Sequence, residues 1–286
     1  MDQRIIDLYD EYTHAPLERR VFIKRLTALA GSAAAAMAVL PLLECNYAFA
    51  ATVPPDDARI EASHIAYPGA SGPIRAYLAR PKGRAKLPAV VVIHENRGLT
   101  PHIEDVARRV AVEGLVALAP DMLSPFGGTP ADDDAARQLF TKVKPGTAVA
   151  DLVAGVTYLR GRADATGKIG CVGFCWGGGM ANNLAVHVPD LAAAVAFYGI
   201  QPAATDVPKI GAKLLLHYAG IDDRVNAGIP AYEAALKSAG VSYAKYVYEG
   251  TQHAFHNDTA GDRYNKEAAE LAWHRTIEFL HAELKS

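Results

Sequence analysis

A cysteine lies in the middle of a glycine-rich segment from Gly173 to Gly179, which reads GFCWGGG. The apolar run from Ile169 to Val172 precedes it, and a helical pattern follows. The spacing Gly-x-nucleophile-x-Gly between a strand and a helix is typical of a nucleophile elbow. Glycines fit there because the turn is sharp and the helix crowds the strand. The pattern predicts Cys175 as a nucleophile; the alternative is a buried structural cysteine in a glycine-rich turn.

A cysteine nucleophile needs a base, because a thiol with a pKa of about 8.5 is only slightly ionised at neutral pH. His253 follows the apolar run from Tyr243 to Tyr248, where a loop can return it to the elbow. His256 is the rival, three residues later. His217 lies within an apolar run and is predicted to pack in the core. We therefore predict His253 as the base.

A carboxylate is also needed, to hold the imidazole in its useful tautomer and to stabilise the imidazolium. The order along the chain is expected to be nucleophile, acid, histidine. Two candidates, Asp222 and Asp223, follow the apolar run from Leu214 to Tyr218. The residues themselves do not choose between them, and either could instead cap a helix that begins near Asn226.

The elements that must position these residues alternate between strands and helices. A β-hairpin is predicted from Arg59 to Tyr67 and from Ile74 to Arg80, because apolar and polar residues alternate there. Nearly continuous apolar runs, typical of strands buried on both faces, follow at Ala89 to Ile93, Leu115 to Ala119, Ile169 to Val172, Ala192 to Tyr198, Leu214 to Tyr218 and Tyr243 to Tyr248. Helical patterns occur at His102 to Glu113, Ala148 to Arg160, Gly178 to Val186, Pro230 to Ala239 and Lys266 to Leu284. The order predicts an α/β fold with a mostly parallel, doubly wound sheet flanked by helices.

One long irregular stretch interrupts this alternation, from Pro120 to Pro145. A functional lid and a surface excursion with a short helix are both consistent with it.

The composition is that of a globular protein, with 50% hydrophobic and 21% charged residues among 286, and the formal net charge is −2. No lysine- and arginine-rich block is dense enough to bind phosphates, so nucleic acid is excluded as a partner. A small organic molecule is the expected ligand.

The N-terminus has the pattern of an export signal. Arg19 and Arg20 precede Phe22 and Lys24, an apolar Ala-rich stretch extends from about Leu26 to Leu43, and Ala48-Phe49-Ala50 follows as a small-residue cleavage site. The arginine pair resembles a twin-arginine signal, although Glu18 stands where Ser or Thr is usual. This predicts a removable signal over residues 1–50, export by the twin-arginine machinery to the periplasm, and one domain over residues 51–286. An uncleaved membrane anchor is the alternative, and would be the chain's one association with a membrane.

Two other functions remain open at this point. Cys171 and Cys175 could form a thiol redox pair, although a spacing of four has no strong redox or metal signature. The second open function is that of a non-catalytic protein that binds a small molecule on the same fold.

Several stretches together resemble the dienelactone hydrolase family, whose members are also called carboxymethylenebutenolidases. They are Val92 to Leu99, Asp105 to Arg109, Leu118 to Asp121, Gly173 to Gly178, Asp222 with Val225, and Gly250 followed by His253 and Phe255. The resemblance implies an α/β-hydrolase fold and hydrolysis of a lactone or ester by a Cys175, Asp222 and His253 triad, with no metal or cofactor. The spacing from Asp222 to Val225 favours Asp222 over Asp223.

The resemblance also implies roles for three further residues. Glu95 would engage the resting cysteine, and the backbone N–H groups of Asn96 and Trp176 would form an oxyanion hole. The chain differs from the best-known members after the histidine, where they have Ser and later an Arg that binds the substrate carboxylate. This chain has Ala254, Phe255, His256 and Asn257 there, so its substrate is expected to differ from dienelactone.

Overall fold

A computed structural model describes residues 1–15, 17–47, 52–83 and 86–285. Its centre is an eight-stranded sheet with the order β1-β2-β4-β3-β5-β6-β7-β8. The strands are Ile60–Gly69 (β1), Gly72–Pro81 (β2), Leu87–Ile93 (β3), Val116–Pro120 (β4), Ala165–Phe174 (β5), Ala193–Phe197 (β6), Lys213–Ile221 (β7) and Tyr243–Gln252 (β8). The β1 and β2 strands form an antiparallel hairpin, β2 pairs antiparallel with β4, and the strands from β4 to β8 along the sheet are parallel.

The helices of the domain cover both faces of this sheet. They are Pro101–Val112 (α4), Asp133–Phe140 (α5), Pro145–Arg160 (α6), Trp176–His187 (α7), the short Asp223–Asn226 (α8), Ile229–Ala239 (α9) and Lys266–Glu283 (α10). One core holds side chains of α6, α7 and α9, and a second core on the other face holds side chains of α4 and α10. The predicted α/β fold with a mostly parallel sheet is confirmed.

Proline and glycine residues set several helix boundaries. Pro101 and Pro145 are the first residues of α4 and α6, where the missing N–H costs no helical hydrogen bond. Gly240 ends α9 in the left-handed conformation, with φ of 68°. The predicted segments are all present, and the main differences are at their ends. The stretch from Pro120 to Pro145 contains α5 and one turn of 3₁₀ helix, Ser124–Phe126.

Three further helices precede the domain: Gln3–His14 (α1), Arg19–Ala30 (α2) and Ala33–Leu43 (α3). We call them the N-terminal cover. They have an apolar core of their own, in which Phe22, Leu26 and Leu43 are fully buried. The export-signal interpretation did not anticipate α1. The predicted cleavage site, Ala48 to Ala51, lies outside the described residues.

The α2 and α3 helices meet at a sharp bend. Gly31 ends α2 in the left-handed region, and the Ser32 side chain accepts a hydrogen bond from the backbone of Ala35 as the N-cap of α3. Among the described residues, no single helix has the length and apolar character to cross a membrane, whereas α2 and α3 together meet those criteria across a 110° bend.

Two buried hydrogen bonds hold the backbone of Val53 against α4. The buried Asp105 carboxylate accepts a hydrogen bond of 2.8 Å from the Val53 N–H, and the Arg108 guanidinium donates one of 2.6 Å to the Val53 carbonyl.

The turn between β5 and α7 leaves no room for side chains at its glycines. A β-carbon on Gly173 would lie 1.9 Å from the carbonyl oxygen of Gly177, and one on Gly177 would lie 2.3 Å from that of Ile93. The backbones of β3, β5 and α7 therefore approach each other as closely as the polypeptide allows.

We expect Gly173→Ala to lower the free energy of unfolding by about 3 kcal/mol or more, because only backbone movement can relieve the clash. Gly146→Ala is the matched control, since Gly146 lies in the first turn of α6 with no atom within 4 Å of the added carbon. Urea unfolding measures both. Equal stability of the two variants would contradict this account of the turn.

Candidate active site

Cys175 lies at the turn from β5 into α7, with φ of 56° and ψ of −116°. A positive φ is unusual for a residue with a side chain and is held here by the surrounding structure. The Cys175 N–H donates a 3.0 Å hydrogen bond to the Phe197 carbonyl on β6. The side chain is buried and points its sulfur to the carboxyl edge of the parallel strands, as expected of a nucleophile elbow.

His253 and Asp222 form a buried pair at the same edge. His253 follows β8 and Asp222 follows β7, and the His253 Nδ1 lies 2.6 Å from Asp222 Oδ2. Asp222 also caps α8, because its Oδ1 accepts a hydrogen bond from the Val225 N–H. Asp223 is exposed at the start of α8. The structure thus places Asp222, and not Asp223, against the histidine.

The second ring nitrogen of His253, Nε2, is buried and has no hydrogen-bond partner among the described residues. A ring nitrogen of His253 lies within 4.8 Å of the Cys175 sulfur. This pairing leaves the imidazole oriented by a carboxylate on one side and able to exchange a proton on the other.

The rival histidines occupy other positions. His256 is fully buried, packs its ring on Phe174 at 5.0 Å, and has a pKa held well below the usual value by burial. His217 bonds to the Tyr248 hydroxyl and Thr276, and burial lowers the pKa of His217 to about 3. Both are neutral core histidines at physiological pH.

Glu95 follows β3 and lines the same small cavity as Cys175. Its Oε2 accepts a 2.8 Å hydrogen bond from the Asn257 side chain, and its buried Oε1 has no hydrogen-bond partner among the described residues. Among the described residues, the hydrogen-bond partner of the Cys175 sulfur is instead His14.

Asn96 and Trp176 flank the elbow as expected from the resemblance. Trp176 is the first residue of α7, where a backbone N–H has no acceptor within its own helix. Asn96 is in the turn after β3, and its side chain donates a 2.6 Å hydrogen bond to the Thr13 carbonyl in α1.

The last residue of α1, His14, contacts the nucleophile itself. Its Nε2 lies 3.0 Å from the Cys175 sulfur, its Nδ1 lies 3.0 Å from the Asp10 carboxylate, and its ring packs edge-on against that of His253. Burial opposes a charge on this ring, but the adjacent Cys175 and Asp10 outweigh it and raise the pKa of His14. Sequence reasoning missed His14, because the N-terminal residues were interpreted as a signal without a site.

Two arginines, the buried Arg97 and the partly buried Arg263, also line the cavity beside Cys175. The Arg97 guanidinium donates to the Asn96 side chain, and that of Arg263 donates to the Leu43 carbonyl and lies over the ring of Tyr9. Neither was predicted as a site residue. Two carboxylates, those of Glu95 and Asp133, line the same cavity.

Among the residues that the structure describes, one group of side chains could hold a metal ion. His14, Cys175 and His253 each offer one ligand atom, and the three atoms lie within 4.8 Å of one another. Nitrogen and sulfur donors of this kind suit Zn²⁺.

The other described thiols differ from Cys175. Cys171 lies inside β5, is fully buried, and burial raises its pKa to about 12. Cys45 is at the end of the N-terminal cover, where burial raises its pKa too. Cys171 and Cys175 are both free thiols, and an un-ionised, buried Cys171 disfavours the redox interpretation.

Comparison with known proteins identifies the relatives of this chain. The model of the dienelactone hydrolase family matches residues 74–284. A protein of Methylorubrum extorquens, provisionally named carboxymethylenebutenolidase, is 31% identical over 276 residues, which cover 91% of this chain and 93% of that protein. One of the same provisional name from Saccharolobus solfataricus is 35% identical over 252 residues, covering 76% of this chain and 96% of the relative.

A solved structure agrees with these matches. The crystal structure of a provisionally named dienelactone hydrolase from Klebsiella pneumoniae superposes with a TM-score of 0.70 at 29% identity, and the match covers 77% of this chain and 97% of that one. The match thus spans almost the whole of that relative. From the family model, these relatives and the fold, the chain belongs to the dienelactone hydrolase family.

Proposed function

We propose that this protein hydrolyses a carboxylic ester or lactone with Cys175 as the nucleophile, His253 as the base and Asp222 as the orienting acid. The observation that carries the proposal is the buried Asp222 and His253 pair, joined at 2.6 Å, whose free imidazole nitrogen lies beside the strained cysteine turn. A carboxylate, an imidazole and a thiol in this order are what acyl transfer through a thioester requires.

The reaction has two halves. His253 takes the thiol proton of Cys175, the thiolate adds to the substrate carbonyl, and the tetrahedral intermediate expels the alkoxide, which receives the proton from His253. Water then gives a proton to His253 and adds to the thioester, and the carbon–sulfur bond breaks to release the acid. The thiolate recovers the proton from His253.

The negative charge of both tetrahedral intermediates falls on the former carbonyl oxygen. The backbone N–H groups of Trp176 and Asn96 are the proposed donors, with Trp176 at the N-terminus of α7, whose dipole adds a favourable charge. A single donor of this kind contributes about 3 kcal/mol to transition-state stabilisation.

Glu95 is the proposed partner of the resting thiol. Its Asn257-bound carboxylate keeps one oxygen unpaired and lines the cavity with Cys175. That oxygen can accept a hydrogen bond from the thiol in the resting enzyme once His14 is absent.

Two arginines bear on the substrate class. The guanidinium groups of Arg97 and Arg263 line the cavity of the nucleophile, and either can pair with a carboxylate carried by the ester or lactone.

Residues 1–50 are proposed as an export signal for the twin-arginine machinery, with a periplasmic domain over residues 51–286. The arginine pair begins α2, the cover has a core separate from that of the domain, and the ordered domain is anchored at Val53. Retention of the bent α2 and α3 pair would instead anchor the domain at the membrane.

Cys175→Ala in the chain from Ala51 to Ser286 is expected to lower kcat/KM for 4-nitrophenyl acetate by at least about 10³-fold, because no nucleophile remains. Cys171→Ala is the matched control and is expected to keep its activity, since Cys171 faces the core. Steady-state kinetics with thermal unfolding curves for both variants provides the check. Undiminished activity of a folded Cys175→Ala protein would exclude this nucleophile.

The neighbouring aspartates provide a second test. Asp222→Asn is expected to reduce kcat by about 10²-fold to 10⁴-fold, because the amide no longer holds the His253 tautomer or stabilises the imidazolium. Asp223→Asn, at the exposed adjacent position, is expected to leave kcat within about twofold, as is usual for surface changes. If the two variants lose activity equally, Asp222 does not orient His253.

A further inference from the structure

We propose that α1 is an intramolecular ligand of the active site, which it closes through His14 until the N-terminal cover is displaced. The proposal rests on the proposed function, since the site that it closes is the one built on Cys175. The cover thereby keeps the thiol unreactive in the unprocessed chain, and its release during export exposes the nucleophile.

His14 contacts the sulfur of the proposed nucleophile. The His14 Nε2, 3.0 Å from the Cys175 sulfur, occupies the space that a substrate carbonyl carbon must enter, because reacting atoms must come within about 3 to 3.5 Å of each other. Asp10 orients His14 as Asp222 orients His253. The imidazole of α1 is thus held in place by its own carboxylate.

The end of α1 also contacts the side chain of Asn96, a residue of the proposed oxyanion hole. The Asn96 side chain donates to the carbonyl of Thr13, at the end of α1. Two successive residues of α1, Thr13 and His14, therefore bind the two sides of the reaction centre.

Little space remains beside the Cys175 sulfur while α1 is in place. The cavity lined by Cys175, Glu95 and His14 has a volume of about 30 Å³, which accommodates a water molecule or two but no ester. A cleft of about 270 Å³ beside α1 reaches Asp222 and His253, but Cys175 does not line it. Substrate cannot reach the sulfur while α1 is in place.

Besides the contacts of Thr13, His14 and Leu43 already described, three polar contacts near the surface join the cover to the domain. Gln3 bonds to Gln252, the Arg224 guanidinium donates to Asp10, and the Tyr12 hydroxyl donates a 2.6 Å hydrogen bond to Asp134. Each contact of this kind contributes about 1 kcal/mol or less. Because the apolar core of the cover is its own, the three helices can leave as a unit at moderate cost.

The position of the arginine pair connects release with export. Arg19 pairs with Asp134 on α5, within the long stretch between Pro120 and Pro145. That stretch thus provides the site on which the cover binds. Machinery that binds Arg19 must break this ion pair, so recognition of the signal and closure of the site compete for the same side chain.

The test uses the full chain and two readouts. Alkylation of Cys175 by iodoacetamide, followed by peptide mass spectrometry, reports access to the sulfur without any hydrolysis, and 4-nitrophenyl acetate reports turnover. Leu26→Asp disrupts the core of the cover, where Leu26 is 0% exposed. Leu42→Asp makes the same change at a position of α3 that is 49% exposed. We expect Leu26→Asp to raise both rates at least about tenfold, which corresponds to a loss of 1.4 kcal/mol in local stability, and Leu42→Asp to raise neither.

A second pair of variants avoids the core. Tyr12→Phe combined with Arg19→Ala removes both side-chain bonds to Asp134 and is expected to raise the alkylation rate about threefold or more, given the usual strength of such bonds. Arg20→Ala, the exposed neighbour in the pair, is expected to have no effect. Thermal unfolding confirms that the domain is intact.

The outcomes separate the two proposals. Faster alkylation of Cys175 without hydrolysis in any variant would support the closing role of α1 and refute the proposed hydrolase. Equal alkylation rates in the parent chain, Leu26→Asp and the Asp134-contact variant would refute the closing role, whatever the hydrolysis rates.

Discussion

The structure depends on the backbone crowding between β3, β5 and α7. The turn at Cys175 is possible because Gly173 and Gly177 let the chain pass within contact distance of its neighbours, and it forces a positive φ on the cysteine. Strain of this kind persists only where the surroundings determine it fully. The central position of β5, between β3 and β6, provides those surroundings. The same geometry puts the sulfur at the N-terminus of a helix and at the edge where the other parallel strands end.

The Asp222 carboxylate makes two different hydrogen bonds at this edge of the sheet. One oxygen caps α8 and the other accepts from His253. A buried carboxylate with both oxygens bonded avoids the cost of an unpaired charge, and the cap fixes the direction of the second oxygen. This is why Asp222 lies against His253, while Asp223, one residue later and on the exposed side of α8, does not reach the histidine.

The sequence predicted the sheet. It also pointed to Cys175, Asp222 and His253, because each of these residues follows shortly after an apolar run. Strands buried on both faces give such runs, and parallel strands bring their carboxyl ends together. It did not predict His14, Arg97 or Arg263 as residues of the cavity. The contact between His14 and Cys175 joins positions 161 residues apart, and no local spacing encodes it. Asn257 shows the same limit: it was noted as a departure from the family, whereas its contact with Glu95 is visible only in three dimensions.

The N-terminal cover shows how one segment can suit two environments. An Ala-rich apolar stretch is what an export signal requires, and read as a signal it predicts no tertiary structure. In the folded chain Gly31 and Ser32 break it into two helices that turn back on each other at 110°, so that Phe22, Leu26 and Leu43 bury one another. Because these apolar groups pack within the cover, the bonds to be broken on release are the polar ones to the domain. The apolar side chains that pack within the cover are the ones that could instead be buried in a membrane. The same residues can therefore serve both to cover the site and to carry the chain toward a membrane.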